Sequence, residues 1–243
     1  MKFIKGLFFL VLLFLFSSPA FCFLNVGILS YNPPFSLLIN EQQSDFFGFD
    51  AALMKEICNR LHEQCIFKPS TFHELSLMLD SGNIDVAIGS IIITPEREQN
   101  YLFSLPYKES YLQFIVLATS NFNKPVDLTG KNIAAYYESP AIPAVLQRFS
   151  GDIHLQLYTD PMDMLYALKN QDVDAVITSN SQATYWNDNE TGSYRLLGSE
   201  FPVGLGYGIM TTLTNTPLML RINQALVSIE QDGTYLNLYK DSF

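Results

Sequence analysis

Residues 77–90 read LMLDSGNIDVAIGS, and residues 166–179 read YALKNQDVDAVITS. The two stretches align without a gap, and Asp85 stands opposite Asp174. Each pattern predicts the end of a helix, a turn, and a short apolar strand that is buried on both faces. Two copies of one helix–turn–strand unit therefore predict two similar α/β lobes.

The sequence around the two copies alternates between strand-like and helix-like segments. Strands are predicted at residues 24–29, 133–135 and 154–157, and helices at residues 51–61, 141–149, 162–169 and 218–230. This βαβ pattern predicts mostly parallel sheets. No low-complexity linker separates the copies, so we expect strands to cross between the lobes. The expected division is a signal peptide at 1–22, a first lobe at 23–109 completed by 211–243, and a second lobe at 110–210.

The amino-terminal segment has the profile of a signal peptide. Lys2 and Lys5 precede an apolar run at residues 7–16, which is shorter than the ~20 residues that span a bilayer. Cleavage is expected after Cys22, and a lipid-modified Cys22 is the alternative. Removing this segment leaves 12 basic against 24 acidic residues, a formal charge of −12. That charge argues against a nucleic-acid partner.

Two cysteines, Cys58 and Cys65, remain after the predicted cleavage. In an oxidising compartment they are expected to form a disulfide. The intervening residues 59–64 are typical of a helix end and a turn, which could bring the two Cα atoms within bridging distance. A metal site with His62 as third ligand is the alternative, but no fourth ligand stands at a recognisable spacing. No metal and no cofactor is therefore expected.

The stretch that follows the first copy, SIIITPER at residues 90–97, is a candidate anion site. Ligands of α/β proteins collect at the carboxyl ends of strands, near the amino termini of helices. Here Thr94 would cap a helix, Pro95 would occupy its first turn, and Arg97 would offer a guanidinium fork. The alternative is an ordinary capped helix with Arg97 in a surface salt bridge.

Eight stretches together resemble the polar amino-acid class of periplasmic solute-binding proteins. They are Gly27 with Pro34 and Phe35, Gly48 to Asp50 with Leu53, and residues 82–85, 94–97, 103–107, 128–131, 174–177 and 232–235. The resemblance implies the type II periplasmic-binding-protein fold, in which two lobes are joined by two hinge strands. It also implies a ligand held in the cleft and delivered to an ABC permease in the membrane. The cysteine pair resembles a disulfide of the basic amino-acid binders in that class.

The resemblance assigns several residues to the cleft. Arg97 matches the arginine that grips the ligand α-carboxylate, Thr94 lies in the turn beside it, and Ser90 faces the cleft. Aromatic residues match the wall that covers the ligand side chain, and the alternative for them is core packing. These residues are Tyr31, Phe35 and Phe49.

The chain departs from the family pattern at Ile92, at the Glu138-Ser139 pair and at Ser179. The family has Ser or Thr at the first position, Gly-Thr at the second, and at the third an acidic residue that binds the ligand ammonium. Because an uncompensated buried ammonium is costly, another acceptor must serve. Glu138 is the hypothesis, and a solvent-facing Glu138 is the alternative.

The expected function is the capture of a small polar ligand, an amino acid in the first instance, by a periplasmic, monomeric protein. The two lobes would close on the ligand about their hinge. No catalytic residue is assigned. One alternative is a dehydratase-like enzyme that acts on a cyclic carboxylate with Glu138 and Arg97. The other alternative is a sensor-type ligand-binding module.

Overall fold

The computed structural model describes residues 22–243, so the predicted signal peptide lies outside the described residues except for Cys22. The helices and strands follow each other in the order β1 (Cys22–Leu29), β2 (Tyr31–Asn32), β3 (Ser36–Asn40), β4 (Asp45–Phe47), α1 (Phe49–Leu61), β5 (Glu63–Ser70), α2 (Phe72–Asp80), β6 (Val86–Ile88), α3 (Pro95–Glu98), β7 (Tyr101–Phe103), β8 (Tyr111–Leu117), a 3-10 helix (Pro125–Leu128), β9 (Asn132–Tyr136), α4 (Ala141–Arg148), β10 (His154–Tyr158), α5 (Pro161–Lys169), β11 (Ala175–Ser179), α6 (Asn180–Asn189), β12 (Tyr194–Pro202), β13 (Met210–Thr212), α7 (Thr216–Gln231) and α8 (Thr234–Ser242). Within residues 22–243, no helix is long and apolar enough to cross a membrane.

Two five-stranded sheets organise the chain. The first has the order β5-β1-β6-β13-β7, and the second has the order β10-β9-β11-β8-β12. In each sheet four strands run in the same direction and one runs antiparallel to them, β13 in the first sheet and β8 in the second. We call the elements around these sheets the first and the second lobe. The predicted α/β class with mixed, mostly parallel sheets is confirmed, and the predicted helices and strands are present with ends that agree to within two residues.

The repeated motif of the sequence has the same structural role in both lobes. Asp85 accepts a hydrogen bond at 2.8 Å from the Asn25 backbone N–H, and its own N–H donates to the Asn25 carbonyl. Asp174 makes the same pair of contacts with Asn132, its carboxylate accepting at 2.9 Å. Each aspartate thus fixes the residue before one strand, β6 or β11, against a parallel neighbour, β1 or β9.

Two segments connect the lobes, residues 104–110 and residues 203–209. They are paired with each other, because Tyr107 N–H donates to the Tyr207 carbonyl and Tyr207 N–H donates to the Lys108 carbonyl. Tyr207 also forms a bridge to Ile92 in the first lobe. The expected lobe boundaries at residues 109 and 210 stay a prediction.

The disulfide is present between Cys58 near the end of α1 and Cys65 on β5, with 5.8 Å between the Cα atoms. The turn between them depends on His62, which adopts a left-handed conformation with φ 57° and ends α1. Both sulfurs are used in the bridge, so the alternative of a metal site at these cysteines is wrong.

Candidate functional site

A cavity of 180 Å³, here called the interlobe cavity, lies between the two sheets at the carboxyl ends of their parallel strands. Since a buried water needs about 10–15 Å³, the cavity has room for roughly a dozen waters or for one small solute. The first lobe contributes Ser30, Asn32, Ser70, Phe72, Ser90 and Arg97 to its lining. The second lobe contributes Tyr136, Ser139, Asp160, Thr178, Ser179 and Gln182.

Arg97 projects into the interlobe cavity from the short helix α3. Thr94 caps this helix and Pro95 occupies its first turn, as the sequence predicted. The guanidinium donates through Nη1 to the Ile92 carbonyl at 2.8 Å and through Nη2 to the Glu138 carbonyl at 3.2 Å. Its Cζ lies 4.9 Å from the centre of the Phe72 ring. The guanidinium therefore already links the two lobes through backbone carbonyls.

The charge of Arg97 is not balanced by an ion pair. Among residues 22–243, no carboxylate lies within salt-bridge distance of it. Burial lowers the pKa of Arg97 to about 10, and the charge of Glu138 partly opposes this effect. The guanidinium hence remains protonated at neutral pH. This result excludes the alternative in which Arg97 forms a surface salt bridge.

Ser90 is held in place from two sides. It has a left-handed backbone with φ 45°, and its N–H donates to Asp50 Oδ2 at 2.8 Å. Its hydroxyl accepts a hydrogen bond from the Asn32 side-chain amide at 2.9 Å. Asp50 is completely buried behind the cavity wall, and this burial raises its pKa to about 7, while the Ser90 N–H acts in the opposite direction. Ser90 lines the interlobe cavity, as predicted.

Asp50 keeps one oxygen without a hydrogen bond. Asp50 Oδ1 and the Tyr107 hydroxyl are both buried without a partner in the described part of the chain. The Tyr107 hydroxyl makes no hydrogen bond to Asp50. It lowers the pKa of the Asp50 carboxyl group by less than burial raises it. The carboxylate is therefore a poorly solvated group that supports Ser90 from beneath.

Ser139 and Ser179 line the second-lobe side of the interlobe cavity. The Ser139 hydroxyl accepts from the Ala141 N–H at 3.1 Å, at the start of α4. The Ser179 hydroxyl accepts from the Gln182 N–H at 3.2 Å and caps α6. Both serines therefore stand where predicted, and each hydroxyl retains its proton to donate.

The structure corrects the hypothesis that the Glu138 carboxylate lies among the cavity-lining groups. Glu138 has a left-handed backbone with φ 59°, which turns its carbonyl towards Arg97 and its side chain away from the interlobe cavity. The carboxylate lies 3.5 Å from His73 Nδ1, and the Glu138 side chain is 45% exposed. The alternative of a solvent-facing Glu138 describes its side chain, although its backbone does contact Arg97.

Two predicted aromatic residues are core residues instead. Phe35 and Phe49 are fully buried and absent from the cavity lining. The Phe49 ring packs edge-on against Tyr235 of α8, and the Phe35 ring packs in the same way against Phe243. Both rings therefore pack against the carboxy-terminal residues 235–243, and the prediction that they cover the ligand is wrong.

Other aromatic residues form the wall of the interlobe cavity. Tyr31 lines it as predicted, and Phe72, Tyr136 and Tyr207 do so without having been predicted. Phe72 and Tyr136 belong to different lobes, and their rings meet edge-on with centres 6.1 Å apart. Each of these two stands at or just after the carboxyl end of a parallel strand, which is the signal that could have identified them.

Three further predicted or overlooked residues complete the site. Ile92 lines the cavity, and its carbonyl accepts a hydrogen bond from Arg97. Thr94 does not line the cavity. Its hydroxyl accepts a hydrogen bond from the Arg97 backbone N–H at 3.4 Å and so supports the residue that does. Asp160, at the end of β10, was overlooked and lines the cavity at its mouth, where it stays accessible to solvent.

Two α/β lobes with a polar cavity between them, and a positively charged guanidinium inside it, define a solute-binding protein of the bilobal type. Residues 24–243 match the family of bacterial extracellular solute-binding proteins, family 3, and the chain belongs to that family. The resemblance noted in the sequence is thereby confirmed.

Individual relatives agree with this assignment. The ABC transporter arginine-binding protein 1 of Escherichia coli K12 is 27% identical over 231 residues, which cover 91% of each chain. The crystal structure of an arginine third transport system periplasmic binding protein from Legionella pneumophila is 37% identical, with a TM-score of 0.88, and the match covers 91% of this chain and all of that one. A solved structure of an ancestral arginine-binding protein bound to arginine is 31% identical with a TM-score of 0.81, and the match covers 91% and 98% of the two chains.

Proposed function

We propose that this protein binds an amino acid, with basic amino acids and arginine foremost, in the interlobe cavity. It does so in the periplasm and delivers the ligand to an ABC permease in the membrane. The observation that carries the proposal is Arg97, a charged guanidinium that lines the cavity and forms no ion pair within residues 22–243. The names of the arginine-binding relatives support the choice of ligand.

Arg97 is the proposed receptor for the ligand carboxylate. A guanidinium has five N–H donors in a planar fork, of which two serve the Ile92 and Glu138 carbonyls. The remaining donors suit a planar anion, because paired N–H bonds to a carboxylate are strong and directional. The Ser90 hydroxyl lies on the same wall and provides a further polar contact. The Phe72 ring makes a cation–π contact with the guanidinium and helps to hold it in position.

The second lobe would complete the site on closure. Ser139 and Ser179 offer hydroxyl donors to the ligand, while Ile92 provides an apolar contact. A ligand that touches both lobes stabilises the closed arrangement by its additional contacts there. One chain supplies the whole lining, so the protein is proposed to act as a monomer.

We also propose that the protein is a binder without catalytic activity. General acid catalysis needs a carboxyl group placed against the leaving group. Glu138, the residue on which the dehydratase alternative relied, directs its carboxylate to His73 and not to the cavity. The relatives named above are binding proteins, which agrees with this proposal.

A thermal-shift screen of the purified protein tests the proposed function. A ligand present at 100 times its dissociation constant adds ~2.7 kcal/mol of stability. For a chain of this size that corresponds to a rise in Tm of roughly 5–10 °C. We expect L-arginine, and to a smaller degree other amino acids, to produce the rise, whereas organic acids without a cationic group should not. Arg97→Ala should give no rise, and a wild-type Tm unmoved by every amino acid would contradict the proposal.

A further inference from the structure

We propose that Asp160 receives a cationic nitrogen of the ligand, in a cavity where the family's acidic position is occupied by the uncharged Ser179. The inference rests on the proposed function and names the partner of the positive charge. A ligand cation enters a cavity that already contains Arg97, so it requires a negative charge nearby. A side chain of the cavity lining must supply that charge.

Three other positions do not supply this negative charge, because of their residue type or their surroundings. Ser179 carries no charge and uses its hydroxyl oxygen to cap α6. Glu138 turns its carboxylate away to His73. Asp50 is sealed behind Ser90 and does not line the cavity. Of the cavity-lining residues in the described part of the chain, Asp160 is the one with a carboxylate.

The carboxylate of Asp160 is oriented by the protein. Asp160 lies two residues after the end of β10 and caps α5, where its Oδ1 accepts a hydrogen bond from the Met162 N–H at 2.7 Å. Within residues 22–243, its Oδ2 takes part in no hydrogen bond or ion pair. One oxygen is thus fixed by the helix, and the other is left for a donor in the cavity.

Two tyrosines of the cavity wall, Tyr31 and Tyr136, are close enough to Asp160 for its negative charge to affect their hydroxyl groups. Burial raises the pKa of the Tyr31 and Tyr136 hydroxyls, and the negative charge of Asp160 raises both further. The faces of tyrosine rings attract cations. A cationic nitrogen placed between Tyr31, Tyr136 and Asp160 therefore meets two kinds of favourable partner at once, on the side of the cavity that belongs mainly to the second lobe.

The competing explanation is that Asp160 serves only as a helix cap. The two explanations differ in whether the negative charge of Asp160 is required. Asn caps helices about as well as Asp. Asp160→Asn consequently keeps the cap of α5 and removes only the negative charge. Asp163→Asn is the matched control, because Asp163 lies in the first turn of the same helix, is exposed, and does not line the cavity.

Calorimetric titration of L-arginine and L-citrulline into the wild type and the two variants tests the inference. Because Asp160 lies at the solvent-accessible mouth of the cavity, we expect Asp160→Asn to weaken arginine binding about fivefold. Asp163→Asn should stay within twofold of the wild type. The Tm of each unliganded variant, unchanged to within about 2 °C, shows that the fold is kept.

Citrulline distinguishes the two possible sources of the cation, since it has the α-ammonium group but a neutral side chain. An equal loss for both ligands assigns Asp160 to the α-ammonium, and a loss for arginine alone assigns it to the guanidinium. Wild-type affinity of Asp160→Asn for arginine overturns the inference and leaves the proposed function intact. If the wild type binds neither arginine nor citrulline, the inference and the proposed function are both overturned.

Discussion

The side-chain amide of Gln182 donates a hydrogen bond to Asn32 Oδ1 at 3.2 Å, across the cleft between the two lobes. Both residues are buried. In the first lobe, the Asn32 side-chain amide donates a hydrogen bond to the Ser90 hydroxyl. In the second lobe, the Thr178 hydroxyl donates to Gln182 Oε1. These hydrogen bonds connect Ser90 in the first lobe to Thr178 in the second. The bond between Gln182 and Asn32 exists only when the lobes are together.

Replacing Gln182 by Ala should weaken ligand binding about tenfold. The variant leaves Asn32 Oδ1 without its donor in the closed state, and an unpaired buried polar group costs ~1–3 kcal/mol. Calorimetry measures the affinity, and small-angle scattering measures the contraction of the protein at a fixed ligand concentration. Asn187→Ala, on the same helix but bonded only to its neighbour Asp188, is the control. Equal affinities of Gln182→Ala and the wild type would show that this bond does not contribute to closure.

Arg97→Ala should reduce the affinity for L-arginine by a hundredfold or more. Two charge-assisted hydrogen bonds are lost, each contributing ~1.5–3 kcal/mol. L-Argininamide, whose carboxylate is replaced by a neutral amide, should bind to the variant and the wild type with affinities less than tenfold apart. Arg148→Ala is the control, because Arg148 also stacks on an aromatic ring, Phe201, but outside the cavity. A similar loss for both ligands would mean that Arg97 does not contact the carboxylate.

Asp50→Asn should flatten the pH dependence of stability between about pH 4 and pH 7. The pKa of Asp50 is raised from 3.8 to about 7, so within this window the folded state keeps a proton that the unfolded state releases. Wild-type stability accordingly falls as the pH rises, by up to ~1.4 kcal/mol per pH unit, and the loss is complete above pH 7.

The variant has no proton to lose at residue 50, so its stability relative to the wild type should grow from pH 4 to pH 7. Denaturant unfolding at several pH values measures this difference. Asp45→Asn, which removes an exposed carboxylate paired with Lys55, is the control and should run parallel to the wild type in this window. Parallel curves for Asp50→Asn as well would contradict the raised pKa.

Removing the disulfide should lower stability without changing ligand affinity. The bridge closes a loop between positions seven residues apart, for which chain entropy gives about 2.5 kcal/mol. The double variant Cys58→Ala with Cys65→Ala should therefore melt roughly 5–10 °C lower. Neither cysteine lines the interlobe cavity, so the affinity for arginine should stay within twofold. A marked loss of affinity would connect this end of α1 to the site.

The lobes and the Arg97 side of the cavity could be predicted because they depend on local signals. The repeat that contains Asp85 and Asp174 marks two strands by a turn and an apolar run. Thr94 and Pro95 mark the helix that carries Arg97. In both places the residue type is required by a contact with close neighbours in the sequence or with the adjacent strand.

The aromatic wall could not be predicted in the same way, because burial of an aromatic ring depends on distant segments. The chain has 19 phenylalanines, and hydrophobic character alone does not separate Phe35 and Phe49 from Phe72. Phe35 and Phe49 pack against Phe243 and against helix α8 just before it, and α8 was not predicted as a helix. Phe72 follows β5, another element that the sequence pattern did not identify.

Asp160 was missed for a different reason. Asp followed by Pro at the start of a helix is fully explained as a cap, so the residue gives no local sign of a second role. Its place in the cavity follows from the parallel sheet, which brings the carboxyl ends of β9, β10 and β11 to one edge. Applying that rule to every parallel strand would have found Asp160 beside Ser139 and Ser179.

A crystal structure of the protein grown with saturating L-arginine tests the central claim most directly. We predict one arginine molecule in the interlobe cavity, with its carboxylate about 2.7–2.9 Å from the Arg97 guanidinium and a cationic nitrogen at the same distance from Asp160. An arginine bound elsewhere on the surface, or an interlobe cavity without arginine at a concentration that protects the protein against heat, would contradict it.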